Sequence, residues 1–138
     1  MVDKNITGRK LADIDTYLKQ LSEFTTITVE QYKQDWKTQR IVERTLQMLI
    51  ETCIDIANHI VSDDKLRVPE SYSDTFKVLM ENKFITESLS EKMIKAAKFR
   101  NVVVHQYDNI DAAIAVSIVK NDLMYFREFQ EQIVEYLK

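Results

Sequence analysis

The chain has 138 residues, with 19 Lys and Arg against 22 Asp and Glu, a formal charge of −3 at neutral pH. That length makes one domain with a real core and excludes two comfortable ones. The slight negative charge excludes a general polyanion binder, so any nucleic-acid contact must come from a local patch. Only one Gly and one Pro punctuate a chain that is 45% hydrophobic and 30% charged, which excludes disorder and points to an all-α fold.

Apolar periodicity predicts a first helix over 8–24, with Leu11, Ile14, Leu18 and Leu21 forming one stripe. Thr28 opens a second helix, with Gln31 at the capping-box position. Its pattern continues through Trp36, Ile41, Leu46, Leu49, Ile50, Cys53, Ile56, Ala57 and Ile60, long enough that a kink is expected near Asp35–Lys37. The stretch from Ser62 to Ser73 reads as a loop carrying Asp63, Asp64 and the only proline, Pro69. A short third helix follows from Asp74 to Asn82.

Ser88 and Glu91 form a second capping-box pattern, which starts a fourth helix carrying Leu89, Met93, Ile94, Ala97 and Val104 and broken by Asp108-Asn109. A last helical region runs from Asp111 to Leu137, with Ile114, Ile118, Leu123, Phe126, Phe129 and Ile133 as its apolar positions and an interruption expected at Asn121-Asp122. Together these make a single domain over 1–138, an up-and-down bundle of four to five helices. No run approaches the roughly 20 apolar residues of a membrane helix, and Met1-Val2-Asp3-Lys4 lacks a signal-peptide core. The lone Cys53, in an apolar helical run, reads as a small core residue; with no internal partner for a disulfide, it fits a reducing cytoplasm.

The segment Arg100-Asn101-Val102-Val103-Val104-His105-Gln106-Tyr107 holds one of two histidines beside a permanent cation, with no acid between them. A histidine moves protons near neutral pH and an arginine balances phosphorane charge, which is what RNA self-cleavage needs, without a required metal. Five residues of helix place Arg100 and His105 about 140° apart, so they converge only if the helix ends at His105 or if a two-fold partner supplies the second group. From spacing alone the commoner reading is an exposed Arg and a histidine stabilised by the helix dipole. Lys92, Lys95 and Lys98 lead into the segment, either as a solvated face or as a landing strip for an RNA backbone. Asp55 and His59, with Glu51 one turn earlier, have the spacing of a metal pair, but such stripes are usually just exposed, and no metal site is assigned. Asn58 and His59 are further candidates to line a cleft.

Arg100-Asn101-x-x-x-His105 resembles the signature of HEPN-domain ribonucleases, and the extension to Tyr107 resembles the HepT subfamily, the toxin half of HepT–MntA toxin–antitoxin pairs. Asp13, Ile14 and Leu18 resemble the family's first helix. The Glu43–Glu51 and Asp55–His59 stretches look like its long second helix, and Phe99 and Asp111 match the surroundings of its motif. One departure concerns the cleft wall, since Ser71–Glu87 lacks the short Trp-containing lead-in of many relatives.

The resemblance implies a HEPN-like homodimer in which Arg100 and His105 cut RNA without metal or other cofactor, with Asn101 orienting the cut site or the imidazole. It implies also that Tyr107 accepts AMP from a cognate MntA-like nucleotidyltransferase antitoxin, where the bland reading is a ring capping the helix end. The rival reading is non-enzymatic: a helical dimer that serves as substrate-binding partner of a nucleotidyltransferase, with Arg100 and His105 structural.

Overall fold

The computed structural model describes residues 4–138, apart from the side chains of Lys4 and Ile6. Among these residues the regular structure is helical throughout, as the near absence of Gly and Pro requires. Helix α1 (Lys4–Leu21) starts earlier than its stripe suggests and closes in a 3₁₀ turn over Ser22–Phe24. The expected kink is a full break. Helices α2 (Val29–Gln34) and α3 (Trp36–Asp63) are separated by Asp35 in an extended conformation, whose carboxylate accepts the Lys37 and Thr38 amides and so caps α3. The Thr28–Gln31 capping box at α2 forms as read.

Helix α3 is the spine of the bundle. Its face from Leu46 through Leu49, Ile50, Cys53, Ile56, Ala57 and Ile60 is fully or almost fully buried. It packs against α1, α4 (Tyr72–Glu81) and α5 (Glu87–His105), while α7 (Leu123–Leu137) closes the bundle against α1 and α5. Burial of about 1.5–3 kcal/mol per large side chain makes this face the main source of stability. Cys53 lies in the same core, and desolvation pushes its thiol well above the ordinary range, so it is inert.

With Gly8 inside α1, no glycine is left to end helices, and lysines take that place. Lys65 (φ 54°) and Lys83 (φ 64°) adopt the left-handed conformation after α3 and α4. The amides of Leu66 and Phe84 reach back to the carbonyls of Val61 and Leu79, both at 2.9 Å, as in a Schellman cap. The loop that follows α3 is then pinned rather than loose. Arg67 gives two hydrogen bonds to Asp74 (2.7 and 2.8 Å) and two to Glu81 (2.8 and 3.4 Å), and the Glu70 amide also donates to Asp74. The Arg67 bonds, then the Glu70 amide, hold the Asp74 carboxyl well below the usual carboxylate range.

Two boundaries differ from expectation. Thr86, not Ser88, caps α5: its side chain accepts the Leu89 amide, while Ser88 lies inside the helix. Ser71, whose hydroxyl accepts the Asp74 amide, starts α4 earlier than read. The break in the last region falls where expected, but as a π-turn over Ile118–Asp122 joining α6 (Ala112–Ser117) to α7, not as a loop. The helix axis therefore continues and Ile118 and Val119 stay buried.

Candidate active site at the end of helix α5

Arg100 leaves α5 toward α3 and α4, and its side chain is only 14% exposed. Its Nε and Nη2 both donate to Glu51 Oε2, at 3.0 and 2.9 Å, and its Nη1 donates to Asn101 Oδ1 at 3.2 Å. The guanidinium also stacks on the Tyr72 ring, 5.0 Å from its centroid. Glu51 is itself steadied by Gln47, whose amide donates to the same oxygen. A guanidinium has five N–H groups. Three are engaged here, so one on each terminal nitrogen is left without a partner among the described residues, and Arg100 borders a recess of about 160 Å³ with Glu51, Ile54, Asp55 and Tyr72. Two unengaged donors on one planar group are what a pair of phosphoryl oxygens would use.

His105 is the last residue of α5, and it is exposed. Because α5 stays regular through His105, the turn of about 100° per residue keeps the imidazole on a different side of the helix from Arg100. One protomer therefore does not bring the two together. Asn101 likewise gives its carbonyl to Arg100 and makes no hydrogen bond with the imidazole. Past His105 the chain turns sharply: the Gln106 amide closes α5 on Val102, and Tyr107–Asn109 forms a single 3₁₀ turn before Asp111 caps α6. Tyr107 sits on that turn with 69% of its surface exposed, so its phenol is presented to solvent rather than packed on the core.

The family pattern "Ribonuclease HepT-like" matches residues 14–133, which spans nearly all of this bundle and the whole Arg100–Tyr107 segment. The chain belongs to the HepT-like ribonuclease family. It is similar to the mRNA nuclease HepT of Shewanella oneidensis, 40% identical over 103 residues, covering 75% of this chain and 77% of that protein. It is also similar to the tRNA nuclease HepT of Aphanizomenon flos-aquae, 30% identical over 138 residues, covering 99% of this chain and 92% of the relative. Among solved structures, a tri-AMPylated Shewanella oneidensis HEPN toxin in complex with MNT antitoxin superposes with a TM-score of 0.86 at 36% identity, covering 98% of this chain and 99% of that one. A toxin-antitoxin crystal structure with AMP-PNP superposes with a TM-score of 0.88 at 34% identity, covering 95% and 98%.

For a HepT-like chain the remaining candidates separate cleanly. The basic stripe does not lead to Arg100. Lys98 and His105 are seven residues apart, within about 20° of each other around α5, so the exposed Lys98 shares the imidazole's side. Lys92 sits 5.0 Å over the Tyr125 ring, and with Lys95 it borders an apolar groove between α5 and the α6–α7 region. Asp55 is paired with Lys10 at 3.2 Å and His59 faces Asp63 at 4.0 Å, so the helical spacing of Asp55 and His59 is spent on two separate neighbours. Asn58 does reach the site's surroundings, bonded to Thr75 in a groove that Asn101 also borders. Sequence reading missed the roles of Glu51 and Tyr72. Glu51 was visible only as one member of a polar stripe, and Tyr72 carried no signal at all because its partner is 28 positions away.

Proposed function

We propose that this chain is a metal-independent endoribonuclease toxin that cuts RNA in a composite cleft between two protomers, in the cytoplasm. A cognate MntA-like nucleotidyltransferase antitoxin restrains it by transferring AMP to Tyr107. The observation that carries the cleft is the split of the motif. Arg100 is fixed inward on Glu51, Asn101 and Tyr72, while His105 is exposed on another side of the same helix end. A two-fold partner with its own α5 end alongside brings the imidazole of one copy to the guanidinium of the other. Val102 and Val104 support that contact, since they are partly exposed and, unlike Val103, do not pack on the core.

In this cleft His105 takes the proton of the ribose 2′-hydroxyl, whose oxygen attacks the adjacent phosphorus. The 5′-oxygen leaves with a proton, giving a 2′,3′-cyclic phosphate and a 5′-hydroxyl end. Arg100 offers its two unengaged N–H groups to the charge that builds on the non-bridging oxygens, and Lys98, on the imidazole's side of α5, guides the backbone. Asn101 holds the guanidinium from its own side. The control step is written on Tyr107: its phenol oxygen attacks the α-phosphorus of a nucleoside triphosphate on the antitoxin and pyrophosphate leaves. Each AMP added there brings a phosphate anion and an adenosine next to His105, which repels and displaces an RNA phosphate. The relatives support RNA as the substrate class, and as one is named an mRNA nuclease and the other a tRNA nuclease, they do not single out one RNA.

The experiment mixes two dead proteins. Arg100→Ala and His105→Ala, each inactive alone, are unfolded together, refolded and assayed on RNA in the presence of EDTA. Half of the dimers are then mixed, and each carries one cleft with both groups intact, so about a quarter of wild-type activity returns. If the mixture stays as dead as its parts, each protomer holds its own complete site and the composite cleft is wrong. If activity needs an added divalent ion, the metal-free chemistry is wrong.

A further inference from the structure

Tyr72 borders two hollows, the recess that holds Arg100 and a wider groove of about 460 Å³ between α3, α4 and α5. The volume is of the size that takes a small flat ligand. Its rim is the loop that Arg67 clamps to Asp74 and Glu81, so the shape is set before anything binds.

The hydrogen-bonding character of this groove is specific. Arginine has no acceptor, so the Asn101 atom bonded to it must be the carbonyl oxygen, and the amide NH₂ is turned away with no hydrogen bond to any described residue. Ser71 accepts the Asp74 amide and keeps its own hydroxyl proton to give. Glu70 borders the same groove with an exposed carboxylate that forms no ion pair among the described residues. With Glu70 at the rim and no cation among its lining residues, the groove does not suit the RNA backbone. It suits a neutral planar group that offers an acceptor to Asn101 beside N–H donors for Glu70.

We propose that the groove bordered by Tyr72, Asn101 and Glu70 is a base subsite that takes a guanine next to the cut. The assignment rests on the ribonuclease reading above. Guanine presents O6 as an acceptor beside its N1–H and N2–H₂ donors. Adenine offers the reverse order, an amino donor beside a bare N1, and cytosine likewise sets an amino donor beside a bare N3. The base lies against Tyr72, so the residue that stacks on the guanidinium also sets the flanking nucleotide. Asn101 thereby ties phosphate and base together, its carbonyl on Arg100 and its amide on O6.

The test uses the purified full chain and short RNAs that carry guanosine, inosine or adenosine on either side of one cut. Wild type is expected to cut the guanosine RNA fastest. Inosine, which lacks one donor, is slower by about fivefold, and adenosine is slower by roughly 50-fold, the range that a lost base contact gives. Glu70→Gln should shrink the guanosine-over-adenosine ratio by about tenfold, and Asn101→Asp should shrink it further. If Asn101→Asp stops all cutting through its bond to Arg100, Kd values for the same RNAs in a His105→Ala background give the same comparison. When wild type cuts no RNA, or His105→Ala cuts as well as wild type, the ribonuclease reading fails. When wild type cuts, His105→Ala does not, and the three RNAs are cut within twofold of one another or Glu70→Gln leaves their ratio unchanged, the guanine subsite alone is overturned.

Discussion

Arg100→Lys separates charge from geometry at this site. The wild-type side chain makes two hydrogen bonds to Glu51, one to Asn101 and a stack on Tyr72 at 5.0 Å. A lysine keeps the charge and reaches one oxygen, with no plane to stack and no second donor held in register. Hydrogen bonds to charged groups are worth about 1.5–3 kcal/mol each when buried. Glu51 is 33% exposed, and water replaces part of what is lost, so the net cost to stability comes down to about 1–2 kcal/mol. For a chain of this size that is a fall in Tm of roughly 3–8 °C. The effect on catalysis should be much larger, because in the proposed cleft the unengaged N–H donors act on the phosphorane only in the transition state; losing one such donor costs about 10²–10³ in kcat. Thermal unfolding followed by circular dichroism gives the first quantity and single-turnover cleavage of a labelled RNA at saturating protein gives the second. If Arg100→Lys unfolds as predicted but cleaves at more than a third of the wild-type rate, a point charge suffices and the fork held by Glu51 has no catalytic meaning.

Tyr107→Phe should keep its toxicity in cells and escape neutralisation by the antitoxin, with no added AMP mass at that position; full neutralisation of this variant would show that inhibition is steric. Asp74 has a depressed carboxyl, so its contribution to stability is complete above its ordinary value of 3.8 and is lost as pH falls toward the lowered value. Asp74→Asn should therefore lower Tm at pH 6, with a gap to wild type that narrows steadily as pH falls below 3.8, and a constant gap across pH 6 to 2.5 would refute the linkage.

Sequence legibility divided along physical lines. Helix identity and core face were readable because they depend on spacing within about a dozen residues, and the stripe from Leu46 to Ile60 is buried as its period requires. The break at Asp35 was legible as a kink only, because the residue whose backbone closes one helix is also the one whose side chain caps the next, and periodicity does not register that dual role. Thr86 and Ser88 show the converse. Both carry hydroxyls, and Ser88 has the better-looking partner at Glu91. The α5 start is decided instead by where the preceding chain must leave α4, with the Thr86 amide bonded to Gln132 of α7. A cap is a local motif, but tertiary contact selects which of two neighbouring candidates is used.

The site shows the same division more sharply. Arg100 and His105 stand out in sequence because titratable groups in a short segment are conspicuous. The residues that make Arg100 usable do not, because Glu51 lies 49 positions away and Tyr72 comes from a third helix. An acid in a helical stripe has the same appearance whether it meets water or a guanidinium. What converts it is the packing of α3 against α5. The split of the motif follows from the same regularity that makes the fold readable. A helix that stays uniform through His105 holds Arg100 and His105 on different sides, so under the proposed reading the more faithfully the chain obeys the helical period, the more its chemistry depends on a second copy.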